Sequence, residues 1–119
     1  MRASPIIVFQ RTVSRCFEKV LEEMLGRTVQ VTLLEILESR GIARNEICEK
    51  FDQTFEALRR SFGAGARVIQ HKIMTEIYHE YSENIDFAFF DKFEDRLAAL
   101  KQSVERRGLY PLNEPDNVQ

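Results

Sequence analysis

Two histidines, two cysteines and a scatter of arginines are the residues of this chain whose chemistry could make a site. His71 and His79 lie eight positions apart in a helical stretch. That spacing sets them on nearly one face but about 12 Å apart along the axis, too far to share one metal ion within a chain. Glu76 and Glu80 are near them, yet no H-E-x-x-H appears, and no E-x-x-H pair with a second copy elsewhere. The histidines are read as surface or interface residues. Ser14 and Cys16 in "TVSRC" have no histidine and acid placed around them by a motif, so nothing points to a nucleophile. "FGAGAR" lacks the Walker pattern and a preceding strand, and reads as the end of one helix and the start of the next. No catalytic, cofactor-binding or metal-ligating residue is assigned, and whether the chain is an enzyme is left open, leaning to no.

The arginines allow a second chemistry. "LLEILESRGIARNEICEKF" followed by "DQTFEALRRSFG" has the three-helix spacing of a helix-turn-helix. Arg59 and Arg60 would stand late in the reading helix, Gln53 could read adenine, and Arg44 and Arg67 would contact phosphates. The start of that helix, however, carries Asp52 and Glu56, two carboxylates turned toward a polyanion. The charge balance argues the same way: 17 cations against 19 acids give a net charge of −2, without the basic excess that drives phosphate binding. Nucleic acid is therefore the alternative. Arg59 and Arg60 read first as a solvated face paired with Glu49 and Glu56.

The elements that must position these residues are helices. Glycines at 26, 41, 63 and 108 each follow an apolar-periodic segment, where a helix end favours positive φ. The spacing predicts a helix over 5–25, capped by Ser4, with Ile6, Phe9, Val13, Cys16, Val20 and Met24 on one face. Others are predicted over about 28–40 with Thr28 as cap, 44–50, 52–62 with Asp52 as cap, 64–81 and 86–107. In the last, Phe90, Phe93, Leu97, Leu100 and Val104 step by three and four as a narrow seam on a charged helix. Phe55, Leu58, Phe62, Ile69 and Ile73 are expected to be buried together. No stretch shows convincing strand alternation, so the fold expected is all-α: a single-domain bundle of about six helices over 1–108, then an extended or disordered tail over 109–119.

Cys16 and Cys48 are isolated thiols among apolar neighbours, read as buried and reduced. No run approaches the roughly 18 apolar residues of a membrane span, and charge returns at Arg11, too early for a secretory segment. The expected location is cytoplasmic.

The stretch "GIARNEICEKFDQTFEALRRSFGAGARVIQHKIMTEIY" resembles the small archaeal helical modules of the Nitrososphaera output domain family, over about residues 41–78. The resemblance rests on Gly41, Ile42, Ile47, Phe55, Leu58, Phe62, Gly63, Gly65, Ala66, Ile69 and Ile73. The chain departs from it at "FDQTF", where the family usually has a proline. The resemblance implies a compact helical domain of the kind attached to sensor or regulatory domains, with no activity and no catalytic residue to carry over.

These readings lead to a non-enzymatic regulatory or protein-interaction module that associates with itself. The expected partners are a second copy and an unidentified protein. The candidate interface is the last seam, Phe90, Phe93, Leu97, Leu100 and Val104, with Phe9 and Val13 of the first helix. Packing of both seams within one chain is the competing outcome. A helix-turn-helix regulator is the alternative, and a small-ligand carrier or enzyme with a pocket between helices is the weakest.

Overall fold

Helix α1 (Pro5–Leu25) is the element on which the others pack. Ser4 caps it: its backbone is extended, and its hydroxyl oxygen accepts from the Ile7 N–H at 3.4 Å. Pro5 follows in the first turn, where the missing N–H costs nothing. Gly26 ends the helix at φ 90, a conformation that a side chain would strain. Between these ends Phe9, Val13, Cys16, Phe17, Val20 and Leu21 are fully buried. That stripe is wide enough for several neighbours, and α1 packs against α4 (Ala66–Glu80), α2 (Arg27–Ser39) and α5 (Phe93–Arg107). Helix α3 (Phe51–Phe62) packs on α4, and α4 also on α5.

The computed structural model describes residues 3–83 and 92–113. Every regular element among them is helical: five α-helices and two short 3-10 turns, Arg44–Glu46 and Gly63–Gly65. The all-α expectation holds, with fewer helices than the six anticipated. The helix expected over 44–50 is the first of those 3-10 turns and the hydrogen-bonded chain after it. The Ala43 N–H donates to the Glu46 carboxylate at 2.9 Å, and the adjacent Ile47 and Cys48 both turn inward. The nine residues between Gly41 and the buried Phe51 leave little length for a helix of their own.

Two caps also differ. Helix α2 starts at Arg27 on Gly26, so Thr28 lies inside its first turn. Helix α3 starts at Phe51 on Lys50, and Asp52 stands within its first turn, where its charge suits the helix dipole. The last helix is described from Phe93; positions 86–91, Phe90 among them, lie outside the described residues.

The core answers the question of the seams. Phe93, Leu97, Leu100 and Val104 are at most 4 % exposed, and Phe9 and Val13 are fully buried. All six belong to one cluster with Phe55, Leu58, Ile69 and Ile73, so the described residues of both seams are covered within the chain. Phe62 differs from its expected companions: it is half-buried and packs at the edge of that cluster. Phe93 anchors the start of α5, edge-on to Phe55 at 5.9 Å and beneath the Arg67 guanidinium at 4.2 Å from the ring centre. Gly108 closes α5 in the left-handed conformation, φ 66.

Of the tail, residues 109–113 are non-helical and lie on the body, and 114–119 fall outside the described residues. Leu109 packs on the core and Pro111 is buried. The Tyr110 hydroxyl donates to the Ala3 carbonyl at 2.9 Å, and the Leu112 N–H to the Glu80 carbonyl at 2.7 Å.

Candidate functional site

The most elaborate polar cluster in the fold was not singled out by the sequence. Glu80, at the end of α4, is 2 % exposed. Its Oε1 accepts from the Asn113 backbone N–H at 2.9 Å and lies 3.2 Å from Arg15 Nη2 of α1. Its Oε2 accepts from the Asn113 side-chain amide at 3.1 Å. The same Arg15 nitrogen donates to the Asn113 carbonyl at 3.1 Å. Burial by itself raises the Glu80 pKa, but the Asn113 donors and the Arg15 guanidinium together outweigh it and hold the carboxyl below its ordinary value. The cluster is a clasp that fixes the last described residues across α1 and α4. A signal existed: position 80 falls seven residues after Ile73, on the inward face of α4, where a charge demands a partner.

Other buried polar side chains also serve the backbone. Ser14 donates to the Arg44 carbonyl at 2.6 Å and ties the connector to α1. Gln30 reaches the Glu18 carbonyl at 2.8 Å, and Gln70 the Phe55 carbonyl at 3.1 Å. Thr12 and Thr54 bond back to the carbonyls of Val8 and Lys50 in their own helices. Cys16 and Cys48 are buried and free, and burial pushes their thiols up to about 12 and about 11. At neutral pH both are protonated and poor nucleophiles. Burial likewise pushes the Tyr81 phenol up to about 12.

The candidate nucleic-acid contacts do not come together as one patch. Gln53, Arg59 and Arg60 line an open cleft of about 480 Å³ with Arg40, Asp52 and Glu56. Arg44 and Arg67 are not among its walls. Arg59 donates twice to Glu56 Oε1, at 2.8 and 3.0 Å, and Arg60 lies 3.4 Å from Glu56 Oε2. These guanidinium groups pull the Glu56 carboxyl below its ordinary value. Arg44 is held by both carboxylate oxygens of Glu18 across the α1 boundary, its Nε at 2.9 Å. Arg67 covers Phe93. His71 and His79 are both exposed on α4, and among the described residues no three of His, Cys, Asp and Glu gather into a metal-binding group.

Further clefts open to solvent. One, about 530 Å³, lies between α1 and the connector and is lined by Arg11, Ser14, Arg15, Glu18, Arg44 and Glu49 among others. Another, about 330 Å³, runs along α2, with Val31, Leu34, Leu37, Ile42 and Ile47 as its apolar lining and Arg27, Glu35 and Glu38 among its charged residues. No helix among the described residues is long and apolar enough to cross a membrane.

No family model, no curated protein and no solved structure matches this chain.

Proposed function

We propose that this chain is a non-enzymatic regulatory or protein-interaction module that acts by associating with a second copy of itself and with a further protein partner. The observation that carries the reading is the distribution of its polar and apolar groups. Buried Thr12, Ser14, Gln30, Thr54 and Gln70 bond backbone carbonyls and buried Glu80 holds the tail, while Ile7, Met24, Val31 and Val68 remain 40 % exposed or more. Branched and sulfur-containing side chains on an otherwise charged surface are the material of protein contacts. The resemblance to the Nitrososphaera output domain modules belongs to the same proposal, because such modules work alongside regulatory domains.

The nucleic-acid alternative is weaker on a specific ground. Arg44, Arg59, Arg60 and Arg67 already sit against Glu18, Glu56 or an aromatic ring, so phosphate binding would have to displace those partners. Sedimentation across a concentration series from low micromolar upward tests the proposal. A mass twice 13.9 kDa is expected, and a monomer at every concentration refutes self-association. Duplex binding at two salt concentrations tests the alternative. Sub-micromolar affinity with a steep salt slope, lost on Arg59→Ala with Arg60→Ala, would replace the proposal with the DNA-binding reading.

A further inference from the structure

Helix α2 carries its charges the wrong way round for a helix standing alone. Its single cation, Arg27, is the first residue, and its acids, Glu35 and Glu38, lie in the second half. The first turn has no acid and the last turn no base. A helix dipole favours the opposite order, and α5 follows it, with Glu94 and Asp95 in its first turn and Arg106 and Arg107 in its last. Among the described residues Arg27 has a loose ion pair, 3.8 Å to Glu22 between side chains 78 % and 49 % exposed. Glu35 and Glu38 make no ion pair among the described residues.

The same residues share a face. At about 100° per residue, Arg27, Val31, Leu34, Glu35 and Glu38 fall in one stripe roughly 100° wide. Gln30, Leu33 and Leu37, which are buried, define another side of the helix. The stripe faces the cleft along α2, with Val31 at its centre 42 % exposed and Leu34 half-buried.

Resting on the self-association proposed above, we infer that this stripe is the contact, and that its occupant is α2 of a second copy, running antiparallel about a twofold axis at Val31. Charge complementarity favours this occupant. With Val31 opposite Val31, Arg27 of each chain stands opposite Glu35 of the other, and Leu34 lies beside Thr28. One antiparallel pairing thus makes two symmetric ion pairs around an apolar centre. It also places the positive end of each helix dipole beside the negative end of its mate, so the order of charges that is unfavourable in one chain becomes favourable in two. A parallel arrangement would set Arg27 against Arg27 and Glu35 against Glu35.

A charge swap tests this, read by sedimentation with circular dichroism as the folding control. All three positions are on the surface, so the fold is expected to survive each change. Arg27→Glu faces acid with acid twice and is expected to raise the dimer Kd by about tenfold or more. Adding Glu35→Arg to that variant restores the pairs with reversed sign and is expected to bring the Kd back to within about threefold of wild type. Val31→Asp buries two carboxylates at the axis and is expected to give a monomer. If wild type dimerises and Arg27→Glu and Val31→Asp leave it unchanged, the α2 contact is wrong while self-association stands. If Arg27→Glu weakens the dimer and Glu35→Arg does not rescue it, the antiparallel register is wrong. A wild type that stays monomeric throughout removes both proposals.

Discussion

At the scale of single residues, the arrangement rests on a few polar groups placed where water is absent. Glu80 is the clearest. Its carboxyl is held below its ordinary pKa in the fold, so it binds a proton more readily when unfolded. It therefore contributes stability above the unfolded carboxyl pKa, about 4.3, and that contribution is lost as pH falls through the folded value. Glu80→Gln keeps the size, but sets an amide N–H against the Asn113 or Arg15 donors. The expected cost is about 1–3 kcal/mol near neutral pH, and the gap between variant and wild type should close on acidification. Equilibrium denaturation at neutral and acid pH reads both. A pH-independent gap would mean that the clasp acts through shape alone.

Ser82 shows the reverse case, a residue in a place made for another. It follows α4 at φ 55, where the ends after α1 and α5 use glycine. Ser82→Gly removes the left-handed strain and adds freedom to the unfolded chain, and the first effect is the larger. A gain of up to about 1 kcal/mol is expected, visible as a higher Tm.

At the scale of elements, what could be read in advance follows from periodicity, and what could not follows from its partners. Helix α1 was legible at both ends because Ser4, Pro5 and Gly26 are local signals with local causes. In the connector after Gly41 the burial of Cys48 was legible, but not that the regular turn is a 3-10 turn ending at Glu46, because inward side chains suit a short helix and a turn alike. The end of α4 was hidden too: Ser82 carries no glycine signal, and Glu80 gains its meaning from Asn113 far along the chain. From Phe93 to Val104 the narrow apolar seam of α5 is legible in the sequence, but periodicity does not say which surface covers it. Helix α1 was wide enough to cover it and its own neighbours at once. The contrast between Phe55 and Phe62 makes this measurable. Both lie on the apolar side of α3, yet Phe55 is fully buried between Phe51 and Phe93, whereas Phe62 sits at the edge. Phe55→Ala is expected to cost about 3–5 kcal/mol. Phe62→Ala should cost clearly less, since part of its surface is already wet. Equal losses in urea denaturation would place Phe62 in the core after all.

At the scale of the whole molecule, the two cysteines sit at different depths and report separately on local and global opening. Cys16 lies in the middle of α1, the helix that packs against α2, α4 and α5, and is fully buried. Exposing it requires the bundle to come apart. Cys48 is 7 % exposed in the short connector before α3 and borders an open cleft of about 320 Å³ beside Leu97 and Lys101. Reaching it needs only the connector to lift. Both thiols are protonated in the fold, with pKa values pushed up to about 12 and about 11, so neither reacts until it opens to water. Thiol labelling should therefore run in two phases. The faster belongs to Cys48, disappears in Cys48→Ser, and changes little with low urea because local opening exposes little surface. The slower belongs to Cys16 and speeds up with urea along the global unfolding slope. A single phase with the global slope for both thiols would mean that the connector and the α1 core open only together, as one cooperative unit.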